Sequence, residues 1–114
     1  MKAVFVELPA FERHRADYLD DDAFRGLQNQ LMKHPEAGDP MEGTGGLRKL
    51  RFADKRRGKG KRGGLRVIYY WWNDGPQFWL FTLYGKDEIA DLTPQQRKAL
   101  KVLIKTELEA RRKA

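Results

Sequence analysis

The chain has 114 residues, the size of one domain, so two independent cores are excluded and residues 1–114 are expected to form a single domain. Charged residues make up 34% of it, with 23 Lys and Arg against 16 Asp and Glu and a net charge of +7, an excess that points to a polyanionic partner. The absence of cysteine excludes a disulfide scaffold, a thiolate nucleophile and a cysteine-held zinc or iron–sulfur site.

In chain order, Val4-Phe5-Val6 is β-branched and aromatic and predicts a short opening strand ended near Pro9. The run from Met1 to Glu7 is too short for a signal peptide, and no stretch reaches the roughly 18 apolar residues of a membrane span. A soluble cytoplasmic protein is therefore expected. Helical spacing runs from Phe11 to Leu19 and from Asp22 to Lys33, where Phe24, Leu27 and Leu31 form one stripe and Asp20, Asp21 and Asp22 suit the cap and first turn. This helical hairpin ends at His34-Pro35. Gly38 to Gly46 reads as loop, and Leu47 to Ala53, Leu65 to Trp72 and Phe78 to Tyr84 read as strands, the last two joined through Asn73-Asp74-Gly75-Pro76.

Thr93-Pro94-Gln95-Gln96 carries a capping threonine, a proline at the first helical position and a glutamine three after the cap, which predicts a helix start. Leu100, Leu103, Ile104 and Leu108 give that helix one apolar stripe, and Arg111-Arg112-Lys113 suits its negative end. The order of one strand, two helices, three strands and a helix implies an α+β fold, with the helices packed on one side of the sheet.

The basic excess is local. Residues 47–66 hold ten basic side chains and one acid, Asp54, whereas residues 1–46 hold five basic and nine acidic. Side chains alternate across a strand, so Lys49 and Arg51 share one face while Leu50 and Phe52 share the other, and Arg66 opens the next strand. A basic floor with an apolar back suits phosphate, although charge runs are commonly just solvated loops. Gly58-Lys59-Gly60-Lys61-Arg62-Gly63 matches G-x-G-x-x-G by composition only, because a strand follows where a dinucleotide site needs a helix. Eight of the thirteen aromatics lie between Tyr69 and Tyr84, and most are expected in the core, with the remainder able to stack bases. His14 and His34 are far apart and lack cysteine partners, so no metal and no cofactor are expected.

Three blocks together, Gly43 to Arg51, Gly58 to Tyr70 and Leu83 to Leu92, resemble the RelE superfamily of bacterial toxins, closest to its HigB branch. The resemblance spans nearly the whole chain. It implies a RelE-like small antiparallel-rich sheet with an N-terminal helical hairpin and a C-terminal helix. It also implies entry into the 70S ribosomal A site, cleavage of translated mRNA and neutralisation by a co-encoded HigA-like antitoxin. Residue by residue, Lys49 and Arg51 match the family's basic pair on the central strand, Arg66 the arginine opening the next, and Lys86 the basic residue after the last strand. Where the family often has a tyrosine this chain has Leu92, and Tyr84 is the substitute. Arg48, Lys55, Arg56, Arg57, Lys59, Lys61 and Arg62 are expected to contact RNA or the ribosome.

Cleaving RNA without a metal requires removal of the 2′-OH proton, stabilisation of the phosphorane oxygens and protonation of the leaving 5′-oxygen. Arginines suit the second task. A lysine crowded by cations gives up its proton more readily, which makes Lys49, Lys59 or Lys86 a candidate for proton transfer. Two other readings compete: an RNA- or ribosome-binding module that does not cut, and a gyrase inhibitor of the related ParE type, which lacks the basic set. Lys49, Arg51, Arg66 and Lys86 together argue against the second.

Overall fold

The computed structural model describes residues 2–89 and 91–112, so Met1, Ala90 and Lys113 of the segments named above lie outside the described residues. The elements are β1 (Val4–Glu7), α1 (Pro9–Tyr18), α2 (Asp21–Lys33), β2 (Asp39–Pro40), β3 (Arg48–Phe52), β4 (Leu65–Trp72), β5 (Gln77–Gly85) and α3 (Pro94–Arg112). They form a five-stranded sheet in the order β1-β5-β4-β3-β2, parallel between β1 and β5 and antiparallel elsewhere. This is the α+β arrangement expected, with the helical hairpin first and the long helix last. Within the segment expected to be loop, Asp39 and Pro40 pair with Lys49 and Arg48 as a two-residue edge strand, where a proline's missing N–H is tolerated.

Local chemistry sets the helix ends. Pro9 opens α1, and the Asp20 carboxylate accepts the Ala23 N–H at 2.8 Å to cap α2. The predicted box closes on itself at α3: Thr93 N–H donates to Gln96 Oε1 at 2.8 Å and Gln96 N–H to Thr93 Oγ1 at 3.1 Å.

The helices are not packed on one side. α1, α2 and the link between them bury Phe11, Leu19, Phe24, Leu27 and Leu31 against Leu50, Leu65, Val67, Tyr69, Phe78, Leu80 and Leu83. α3 places Leu100 and Ile104 against Ile68, Trp79, Phe81 and Tyr84 on the opposite face. The physical reason lies in β4, whose two alternating sets are both apolar, so that each face needs a cover. The aromatics therefore serve mainly as core, with Tyr69, Phe78 and Trp79 fully buried. Phe78 alone stacks on Phe5 and Trp71, at centroid distances of 4.9 and 4.5 Å.

A bulge in β5 decides which face Tyr84 joins. Ile68 pairs with Thr82 but the next residue, Tyr69, pairs with Leu80, leaving Phe81 extra. The extra residue reverses the alternation, so Trp79 and Tyr84 share the α3 face although strict alternation would separate them.

Tyr69 ties the sheet to the chain leaving α2. Its hydroxyl donates to the Pro35 carbonyl at 2.8 Å and accepts the Gly38 N–H at 3.0 Å. Burial pushes this phenol above its ordinary range, against the smaller opposing pull of the Gly38 N–H. Because the folded state holds the proton more tightly than the unfolded chain, the stabilisation is complete below about pH 10 and is lost as pH rises through the folded value. Tyr69→Phe is expected to cost about 1–3 kcal/mol at neutral pH by stranding the buried Gly38 N–H and the partly buried Pro35 carbonyl. It should also flatten the alkaline loss, which urea titrations at neutral and alkaline pH would show.

Candidate nucleic-acid interface

The register brings three of the expected residues into one row. Arg51 on β3 pairs with Arg66 on β4, and Arg66 pairs with Tyr84 on β5. Lys49 pairs with Ile68 and so lies on the same face, one strand repeat along from Arg51. Lys86 follows the end of β5 and is exposed, with its backbone N–H donating to the Gly64 carbonyl at 2.9 Å. The row shares its face with α3, whose Leu100 and Ile104 belong to the same apolar cluster as Tyr84.

Arg66 is 5% exposed, and its guanidinium is turned into the basic loop. Nη1 donates to the Lys61 and Leu65 carbonyls at 2.9 and 3.1 Å, and Nη2 donates to the Arg62 carbonyl at 2.7 Å. It thereby shapes the loop whose side chains Lys61 and Arg62 stand exposed. Burial, then the neighbouring Arg51 charge, lowers its pKa, and Tyr84 opposes this.

The loop itself is folded. Asp54 and Lys59 exchange backbone hydrogen bonds at 2.8 and 2.9 Å around a single 3₁₀ turn, Lys55–Arg57, which Gly58 closes at φ +66°. The buried Asp54 carboxylate accepts Arg57 Nη1 at 2.9 Å. Not all the expected RNA contacts point to solvent. Arg56 donates to the Ala16 carbonyl at 2.8 Å, and Arg57 reaches the Asp17 carbonyl and lies over the Tyr18 ring, so both serve the negative end of α1. Arg48 lies on the opposite face from Lys49, held by Glu36 at 3.1 Å and by the Gly38 carbonyl at 2.8 Å. Lys59 pairs with Asp87 at 3.1 Å. Arg51, Lys55, Lys61 and Arg62 are exposed, and so are Arg56 and Arg57 despite their bonds. Lys55 and Lys61 line a cavity of about 540 Å³ shared with Asp20 and Asp22 of the α2 N-terminus.

Two residues in the site had no role assigned from the sequence. Asp91 lies 3.6 Å from Lys49 Nζ and 3.4 Å from Arg97 Nη2. The charge spacing gives no hint of this, because Lys49 and Arg97 meet only once α3 covers the sheet. The signal that existed was the capping box, which fixes Arg97 in the first turn of α3. Tyr84 is 4% exposed, and burial raises its pKa first, Asp91 second, while Arg66 and Arg97 lower it. The phenol is thus protonated at neutral pH. His14 lies in an apolar groove of about 300 Å³ between α1 and α3, and His34 caps the end of α2. Among the described residues no three His, Asp or Glu side chains gather where a metal could be held, and no helix is long and apolar enough to cross a membrane.

No family model matches the sequence. Among solved structures, the chain is similar to the E. coli toxin RelE, solved as a mutant in the free state, with a TM-score of 0.50 at 12% sequence identity over 79% of this chain and 90% of that one. The fold is RelE-like.

Proposed function

We propose that this protein is the toxin of a type II toxin–antitoxin pair, a cytoplasmic, ribosome-dependent endoribonuclease of HigB type that cuts translated mRNA in the A site and is held in check by a HigA-like antitoxin. The observation that supports this most is the row Arg51–Arg66–Tyr84 with Lys49 beside it, on a RelE-like sheet. In the proposed reaction a base takes the 2′-OH proton, the 2′-oxygen bonds to phosphorus, and the bond from phosphorus to the 5′-oxygen breaks. Arg51, exposed and next to Arg66, meets the developing phosphorane charge. Tyr84, kept protonated, supplies the leaving 5′-oxygen with its proton, and Lys86 serves as base without a metal, while Lys49 remains a cation beside the phosphate. Lys55, Lys61 and Arg62 extend the cationic surface toward RNA.

The test is cleavage of a defined mRNA by the purified protein with and without programmed 70S ribosomes, with EDTA only in the ribosome-free arm. Cutting confined to ribosomes and leaving 2′,3′-cyclic phosphate ends is expected, and Tyr84→Phe should slow it by about a hundredfold or more. Tight RNA or ribosome binding with no cutting in either arm would replace this reading by that of a non-catalytic binding module.

A further inference from the structure

Two cations from distant parts of the chain meet on a single oxygen. Asp91 Oδ1 accepts the Leu92 N–H at 2.8 Å within its own turn, and Lys49 Nζ and Arg97 Nη2 approach it from 3.6 and 3.4 Å. Neither approach is a short hydrogen bond. The Asp91 side chain is 59% exposed, whereas Lys49 and Arg97 are 28% and 29% exposed. The fold fixes the backbone positions that carry the cations, Lys49 between its β2 and β4 partners and Arg97 on the first turn of α3, where Nη1 also lies 3.5 Å from the Glu42 carbonyl. The anion is therefore the solvent-facing member of the group, held most closely by its own turn and not by the two cations.

We infer that Lys49 and Arg97 form a binding site for a backbone phosphate of single-stranded RNA, and that Asp91 fills this site in the free protein and gives way when RNA arrives. The inference rests on the proposed reading of the neighbouring row as an RNA site. A carboxylate oxygen shared by two cations marks a position that a non-bridging phosphate oxygen can take, and an arginine fork holds a phosphate better than a single carboxylate oxygen. The position also suits an extended strand of RNA. Lys49 and Arg51 stand about 7 Å apart along one face of β3, so that a phosphate on Lys49 and Arg97 is the neighbour of one on Arg51. Asp91 then acts as a competitor: it neutralises the subsite and repels phosphate until it moves aside.

The test uses a short single-stranded RNA with 2′-O-methyl riboses, which binds but cannot be cut, titrated over a range of salt. Asp91→Asn keeps the acceptor for the Leu92 N–H while removing the charge, and should tighten binding about three- to tenfold with a steeper salt dependence. Arg97→Gln should weaken binding by a similar factor and reduce the slope of log K against log salt by about 0.7. The double variant should lose the gain of Asp91→Asn. Thermal melting of each variant identifies any that fail to fold, and the two single variants test the site from opposite sides. Unchanged or weaker binding by a folded Asp91→Asn, or unchanged binding by Arg97→Gln, overturns the inference. So does Asp91→Asn that binds as before but no longer cuts, which would make Asp91 a proton-transfer group. Because the probe needs no cleavage, failure of the nuclease reading shows separately, as absence of cutting by the wild type on ribosomes.

Discussion

Arg66→Ala is expected to lower mRNA cleavage on programmed ribosomes by about a hundredfold to a thousandfold, the scale of a lost electrostatic stabiliser. Two effects combine. The substitution removes a buried positive charge from the centre of the Arg51–Arg66–Tyr84 row, and it releases the three carbonyls of Lys61, Arg62 and Leu65 that the guanidinium gathers. Losing charge-assisted bonds to these carbonyls should also cost about 2–4 kcal/mol of stability, visible as a lowered urea midpoint. Arg66→Lys separates the two, since an ammonium keeps the charge but cannot span carbonyls on both sides as a planar fork does. A lysine variant with near-normal cleavage would show that charge alone matters. Alanine that still cuts within about threefold of wild type would remove Arg66 from the site altogether.

Gly64→Ala is expected to be the most damaging single methyl in the chain. An added Cβ would lie 2.5 Å from the Phe52 carbonyl oxygen, 2.6 Å from that of Gly60 and 2.8 Å from Asp54 N, all backbone atoms. None can swing away as a side chain can, so β3 must part from the start of β4 or the Asp54–Lys59 bridge must open. The expected loss is about 3 kcal/mol. Its neighbour is the control: at Gly63 an added Cβ meets nothing within 4 Å, and Gly63→Ala should be neutral or stabilise by up to about 1 kcal/mol through the unfolded chain. Equal damage at both positions, measured by thermal melting, would contradict the packing seen at Gly64.

Much of the fold was legible because local chemistry dictates it. The Thr93–Gln96 box, the Asp20 cap and the alternation in β3 each give a boundary or a face without reference to the rest of the chain. The side of the sheet taken by α3 was not legible, because Leu65, Val67 and Tyr69 make one face of β4 as apolar as Ile68, Tyr70 and Trp72 make the other. Nor was the bulge at Phe81, a single extra residue in an unbroken apolar run. For the candidate site, residue type and strand parity put Lys49, Arg51 and Arg66 on one face, which the register shows. Parity alone would have assigned Tyr84 to the wrong face had Trp79 been used as its guide. A run of cations does not say which of them meet carbonyls, so Arg56 and Arg57 read like Lys61 and Arg62 although they cap α1. Asp91 and Arg97 became functional candidates only through tertiary contact.

The pairing of β1 with β5 bears on how the chain acquires its shape during synthesis. Val4 has its register partner in Gln77, so β1 waits for its place in the sheet until β5 has left the ribosome. The apolar stripe of α2 waits as well, because the β4 and β5 residues that cover it are made later. Lys49, Arg66, Tyr84 and Arg97 are far apart in the chain and come together only when the sheet has formed and α3 covers it, and such long-range contacts form slowly. A nascent or truncated chain therefore has its basic loop long before it has the complete site.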